Sequence, residues 1–262
     1  MSKFAGTATY YSRYRPGVPS EVAECLISEA NRYAPATTLL DLGTGTGQVI
    51  EALHQNFRDI IAVEPDVEMI NLAKKNIRVI ISSETAISFY NCQAEEFLPP
   101  INWTASLVTI CRAFHWMDQE KTLRHLSKYV SPTGAVAIFG DHSFWRANSP
   151  WKKAVRKVIQ DFLGEQRRAG ECVFSHHNRP YSEIIKESPF SDVTKFNIPV
   201  HRTWNTESIL GYLYSTSFAS RPLLGERLEE FESTVRRTLA EFSQDDTFEE
   251  ENEFMIRIGR KK

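Results

Sequence analysis

The chain has 262 residues, of which 42% are hydrophobic and 24% charged, with a formal net charge of −2. That length and apolar content suffice for one large α/β domain, or for a domain with a small cap. The near-neutral balance leaves no global basic footprint for nucleic acid or an anionic membrane, so neither is an expected partner. Lys152, Lys153, Arg156 and Lys157 recur at helical spacing, which a solvated helix face explains. Cys25, Cys92, Cys111 and Cys172 form no CxxC pair and neighbour no ligand cluster. Free thiols in a reducing compartment are therefore expected. Adjacent His176 and His177 point apart in any regular structure and have no further ligand at metal spacing, so no metal is expected. The first eleven residues hold no apolar signal core and no run approaches membrane-spanning length, which predicts a soluble, cytoplasmic protein.

Residues 1–18 form an arm in which Tyr10, Tyr11, Tyr14, Arg13 and Arg15 crowd before Pro16-Gly17-Val18-Pro19. Such residues suit a contact surface, either against the chain's own domain or as a lid over a ligand pocket. Ser20 can cap a helix running to Tyr33. Strand is expected at Thr38–Asp41, helix at Val49–Gln55, and a fully apolar strand at Asp59–Val63, as when both faces of a sheet are covered. Helical periodicity follows to Lys75. Further strands are read at Ile87–Asn91, Ala105–Ile110 and Ala135–Gly140, with a helix at Gln119–Tyr129 and a turn at Ser131–Gly134. Residues 141–190 change character: they hold aromatics, prolines, histidines and one amphipathic helix, Pro150–Leu163. They read as a cap insertion after the fifth strand. A sixth strand at Asp192–Val200, helices at Glu207–Leu213 and Leu224–Phe242, and a closing strand at Phe254–Ile258 complete the chain. The acidic run from Asp245 to Glu253 reads as a solvated loop. Right-handed crossovers make the first five strands parallel, giving a Rossmann-like α/β sheet of seven strands with helices on both faces.

The chemistry concentrates at Leu39-Leu40-Asp41-Leu42-Gly43-Thr44-Gly45-Thr46-Gly47. Strand, glycine turn and helix open a nucleotide-type βαβ unit, in which glycines let backbone N–H groups approach a ligand. Gln48 stands where a dinucleotide site wants its third glycine, and no Lys-Ser or Lys-Thr follows, so a phosphate-gripping P-loop is excluded. Glu64 ends the second strand 21 residues after Gly43. There a carboxylate can accept both ribose hydroxyls, or it can cap the next helix.

Asp41 to Gly47, Glu64 with Pro65, Asp66 and Met69, Gln93-Ala94-Glu95, and Cys111 to Trp116 together resemble the class I S-adenosylmethionine-dependent methyltransferases. Ala113-Phe114-His115-Trp116 and Tyr11-Ser12-Arg13-Tyr14-Arg15-Pro16 look like its small-molecule, trans-aconitate methyltransferase-like branch. The likeness covers residues 10–145 well and the rest in outline. It implies a single methyltransferase domain over 1–262, with the closing strand antiparallel, and S-adenosylmethionine as cofactor. It also implies cofactor contacts at Asp41, Gly43, Thr44, Gly45, Gly47, Glu64, Pro65, Met69, Ala94, Glu95, Cys111, Arg112 and Ala113. In such enzymes Pro65 and Met69 line the adenine, Ala94 meets its edge and Glu95 its amine. His115 becomes the candidate general base, with packing beside Trp116 as its alternative. Arg112 either faces a substrate carboxylate or pairs with an internal acid. Acceptor contacts are expected from Tyr11, Tyr14, Arg15, His115, Trp116, His142, Trp145 and Tyr214. The expected activity is in-line methyl transfer to a small molecule: a carboxylate, amine, hydroxyl or ring carbon. The alternatives are a regulatory or scaffold protein that only binds S-adenosylmethionine, or a tRNA or protein methyltransferase. The acceptor and the oligomeric state are not legible.

Overall fold

The computed structural model describes residues 6–170, 172–173 and 179–262; the His176-His177 pair lies outside them. The elements in chain order begin with α1 (Ala8–Tyr14), α2 (Ser20–Ala30), β1 (Thr38–Leu42), α3 (Gln48–Leu53), β2 (Asp59–Val63) and α4 (Val67–Arg78). β3 (Ala86–Tyr90), β4 (Ala105–Cys111), α5 (Gln119–Leu126), β5 (Val130–Asp141) and α6 (Pro150–Leu163) follow. Next come a short hairpin of β6 (Arg168–Ala169) and β7 (Cys172–Val173), then α7 (Tyr181–Lys186) and β8 (Asp192–Trp204). α8 (Thr206–Tyr214), α9 (Arg221–Leu224), α10 (Leu228–Ala240) and β9 (Phe248–Arg260) close the chain.

The main sheet has seven strands in the order β3-β2-β1-β4-β5-β9-β8. β1 pairs in parallel with β2 and β4, β2 with β3, and β4 with β5, while β9 runs antiparallel to β5. This is the Rossmann-like mixed sheet expected. Leu39 and Leu40 are adjacent in β1, point to opposite faces, and are both fully buried. Both faces are therefore covered, which is why β1, β2 and β4 are mostly apolar. One face packs Leu40, Leu42, Val63, Val108 and Ile110 against Leu123 and Leu126 of α5 and Ile184 and Ile185 of α7. Strand order reverses between β1 and β4, the position at which open α/β sheets bind ligands beyond their strand ends.

The chain divides into two compact units. One holds the described residues of 17–141, 177–198 and 254–262, and so the first five strands and the glycine turn. The other takes the described residues of 1–16, 142–176 and 199–253. The division is drawn differently from the expected arm and 141–190 cap. The arm and residues 142–176 share a unit with the late helices α8 to α10, and residues 177–198 go with the sheet.

Three readings need correction. Ser131–Gly134 is not a turn but the start of β5, and its pairing with β4 shifts register between Ala105 and Leu107. The Asp245–Glu253 run is not a loop throughout, because β9 begins at Phe248. Phe248 and Glu250 are both buried in its alternating pattern. Lys152 does not lie on a solvated face: it is buried and ion-paired with Glu250, 98 residues away. Glu250 also accepts from Trp204 Nε1 at 2.6 Å and Asn252 Nδ2 at 2.8 Å. A buried ammonium persists because these groups satisfy its partner carboxylate. No helix among the described residues is long and apolar enough to cross a membrane.

Candidate functional site

β1 delivers Asp41 to the sheet's carboxyl edge, where the chain turns. The Gly43 and Thr44 N–H groups both donate to the Val63 carbonyl, at 2.8 and 3.1 Å, and Gly47 N–H donates to Thr44 O at 2.9 Å. The turn is thus pinned to the end of β2. Gly43, Gly45 and Gly47 have φ of 69°, 57° and 96°. Gly43 is needed for a second reason: a Cβ there would stand 2.5 Å from the Ala113 Cβ. The segment after β4 therefore lies directly against the turn after β1, and only a bare backbone permits it.

Asp41 is 1% exposed. Its Oδ2 accepts from Thr44 Oγ1 at 2.5 Å and its Oδ1 from Thr109 Oγ1 at 2.8 Å. Burial raises its pKa to about 6, against the two hydroxyls, which lower it. Each carboxylate oxygen thus braces the protein: one the turn, the other β4.

Glu64 has a different setting. Its Oε2 accepts the Gly45 N–H at 2.9 Å and its Oε1 the Asp66 N–H at 3.0 Å. Its own N–H donates to Tyr90 O, and Asn91 Nδ2 donates to its carbonyl at 2.8 Å. Burial pushes the carboxyl above its usual range; the two backbone N–H groups oppose that and the nearby Asp66 and Asp41 charges add to it. Glu64 thus ties the glycine turn to the backbone just before the next helix. Asp66, not Glu64, is the N-cap of α4, accepting from the N–H groups of Glu68 and Met69.

The remaining candidates fall around this edge. Pro65 is exposed and Met69 is buried. Ala94 is buried in the core, and Glu95 Oε1 accepts from the Asp118 N–H at 2.6 Å, beside the start of α5. Cys111 ends β4 half-buried. Arg112 takes a positive φ of 54° and its Nε donates to Asp141 Oδ1 at 2.6 Å, so its geometry is the internal pairing. His115 and Trp116 sit on a 3-10 turn, half-buried, with ring centroids 4.6 Å apart.

The other expected acceptor residues lie in the second unit. Arg15 stacks on Tyr11 and Tyr212 with centroid distances of 5.1 and 4.7 Å. Tyr10 joins Tyr14 and Tyr214 at 6.2 and 5.3 Å. Tyr214 donates to Glu232 at 2.8 Å, and burial together with that carboxylate raises its pKa far above the ordinary phenol value. Trp145 packs edge-on to Phe218, and His142 is exposed with its backbone tied to Asn252. Among the described residues, no group of three or more His, Cys, Asp or Glu is placed to hold a metal ion.

Sequence reasoning missed Thr109, Asn91 and Asp141. Thr109 had a signal, a lone polar residue inside the apolar run Leu107–Ile110. Asn91 stands just past β3, beside the end of β2, and its partners are legible only once the strands are paired. Asp141 becomes visible only with the β4–β5 register.

The site fits an adenosyl amino acid. The turn offers a cradle that a Cβ would fill. Each Glu64 oxygen has one backbone donor and retains a second lone-pair site for a ribose hydroxyl. Thr46 Oγ1, in the turn, is buried with no hydrogen-bond partner. Residues 39–134 match the family model described as a methyltransferase domain. An uncharacterized methyltransferase of Schizosaccharomyces pombe is 27% identical over 209 residues, covering 78% of this chain and 77% of its own. A solved methyltransferase-like chain from Anaeromyxobacter dehalogenans superposes with a TM-score of 0.62 at 18% identity, over 94% of this chain and 98% of its own. A Haemonchus contortus phosphoethanolamine N-methyltransferase, solved with phosphomonomethylethanolamine and S-adenosylhomocysteine, gives 0.54 at 14% identity, over 97% and 56%.

Proposed function

We propose that this chain, whose residues 39–134 match a methyltransferase domain, is a class I S-adenosylmethionine-dependent methyltransferase that moves the methyl group to a small-molecule acceptor by in-line displacement. The observation that carries this reading is the Glu64 carboxylate drawn onto the Gly45 N–H at the mouth of the glycine turn. That contact sets a ribose acceptor and a backbone cradle side by side, the pairing that an adenosyl amino acid requires. The near-neutral charge of the chain favours a small acceptor over a nucleic acid.

S-adenosylmethionine supplies an already electrophilic sulfonium methyl, so the protein's work is to position the acceptor and exclude water. Gly43 to Gly47 hold the amino-acid portion, with Asp41 as a positioning residue behind them. Glu64 takes the ribose, Pro65 and Met69 the adenine face, and Ala94 and Glu95 the adenine edge. Cys111 and Ala113 border the methionine portion; Arg112, held by Asp141, fixes the backbone between them. His115 removes the acceptor's proton where the acceptor carries one, and Trp116 walls the reacting end. A carboxylate acceptor needs no base. We place the protein in the cytoplasm, in keeping with Cys25, Cys92 and Cys111, which form no disulfide.

The test is methyl transfer from labelled S-adenosylmethionine to a library of small acids, phenols and amines, with S-adenosylhomocysteine as the counted product. For a phenol or amine acceptor, His115→Ala is expected to lower kcat about 10²–10⁴-fold with S-adenosylhomocysteine affinity unchanged. Full turnover in that variant sinks the base role. Transfer to no small acceptor, with transfer to tRNA or protein, sinks the small-molecule reading.

A further inference from the structure

Two buried acids hold successive residues of the glycine turn. Asp41, in β1, accepts from the Thr44 hydroxyl at 2.5 Å, and Glu64, just past β2, accepts the Gly45 N–H at 2.9 Å. β1 and β2 are parallel neighbours with Asp41 opposite Ala62 and Leu42 opposite Val63, so both acids belong to the same end of the sheet. Their donors are neutral: the Thr44 and Thr109 hydroxyls for Asp41, the Gly45 and Asp66 N–H groups for Glu64. Among the described residues no cation acts on either carboxyl, while the Asp66 and Asp41 charges press on Glu64. Of the other titratable groups near the turn, Arg112 is ion-paired with Asp141 at 2.6 Å and His115 lies against the Trp116 ring at 4.6 Å. Cys111 ends β4, and Glu51 of α3 is exposed.

Two buried acids without a cation are costly in the protein alone. A ligand that brings positive charge offsets that cost. S-adenosylmethionine and S-adenosylhomocysteine differ by one methyl group and one positive charge, that of the sulfonium. Whatever water one compound strips from the acids, the other strips too. That penalty cancels in the ratio of their affinities, and the ratio reads the charge. Burial already lifts the Asp41 carboxyl to about 6, so its proton is exchangeable close to neutral pH. A positive ligand favours the ionised acid, so the preference for the charged compound grows as pH rises through 6.

Given the cofactor reading of this site, we propose that Asp41, aided by Glu64, is the residue that discriminates the charged cofactor from its neutral product. Asp41 is ionised in the cofactor complex and takes up a proton from solvent once the product remains. In the transfer itself the methyl carbon leaves sulfur for the acceptor, and the electron pair of the broken bond stays on sulfur as a thioether. Calorimetric titration of the full chain with each compound, without acceptor, tests this from pH 5 to 7 in buffers of different ionisation enthalpy. In the native chain the affinity ratio of cofactor to product rises about three- to tenfold over that range. At pH 6 binding of S-adenosylmethionine releases more protons than binding of S-adenosylhomocysteine. Asp41→Asn lowers the ratio at pH 7 about threefold or more and flattens its slope. Thr109→Val takes one donor from Asp41 while keeping the side chain's shape, and it moves the rise to higher pH. His115→Ala keeps the slope, which separates Asp41 from the nearby imidazole. A ratio constant with pH in the native chain, equal proton release by the two compounds, or a slope undiminished in Asp41→Asn overturns the proposal and leaves the cofactor reading standing. Binding of neither compound overturns both.

Discussion

Asp41 in one unit and Glu250 in the other are both buried carboxylates, and the two are neutralised by opposite means. Asp41, under the glycine turn, receives two hydroxyl donors, Thr44 and Thr109, and no cation. Glu250, on β9, receives the Lys152 ammonium, the Trp204 indole and the Asn252 amide. Neutral donors only partly replace lost hydration, and the Asp41 carboxyl answers by holding its proton up to about pH 6. At Glu250 cations supply the counter-charge directly, Lys152 in contact and Arg202 at 3.7 Å. The first arrangement braces the glycine turn with an acid that can still take a proton; the second pins α6 to β9.

The contrast predicts its own largest failure. Lys152→Met leaves buried Glu250 with only the more distant Arg202 guanidinium, 3.7 Å away, as counter-charge, and is expected to cost up to about 3–5 kcal/mol of unfolding free energy. Adding Glu250→Gln to that variant should recover part of the loss in a double-mutant cycle. If the two substitutions are additive in urea denaturation, the pair is not the core's tie. Gly43→Ala comes next, because its new Cβ meets Ala113 at 2.5 Å on a backbone with φ of 69°. A cost of about 2–4 kcal/mol is expected, with S-adenosylhomocysteine binding lost. Unchanged binding there removes the close approach from the site. Smallest is the titration of Asp41. Its folded pKa near 6 exceeds the ordinary 3.8, so the folded chain holds this proton more tightly than the unfolded one. The stability that protonation confers is complete below pH 4 and is lost as pH rises through 6, at most about 3 kcal/mol. Asp41→Asn should remove that component from the pH profile of the denaturation midpoint between pH 4 and 7. An identical slope in the variant means the proton is held elsewhere.

What could be read in the sequence follows the range of the interactions. Asp41 to Gly47 lie in one local stretch, so strand, glycine turn and helix follow from periodicity, and Glu64 is marked by its place at the end of β2. The cap is less legible: the sequence offers Glu64 for it, whereas Asp66, one residue before α4, takes the role. Lys152 could not be read so, because its helix periodicity is compatible with solvent and its partner stands 98 residues away. The same holds for β9: an acidic stretch reads as solvated until Lys152, Trp204 and Asn252 are brought to Glu250. Arg112 stayed open between a ligand and an internal acid until the β4–β5 register placed Asp141 beside it.

Calorimetric titration with S-adenosylhomocysteine, comparing the native chain with Glu64→Gln, tests the account of the cofactor site most directly. The native chain should bind, and the variant should bind about 10- to 100-fold more weakly, the worth of hydrogen bonds to a charged acceptor. Equal affinity in the two, or no binding by the native chain, would contradict the assignment of the glycine turn and Glu64 as the grip on the cofactor.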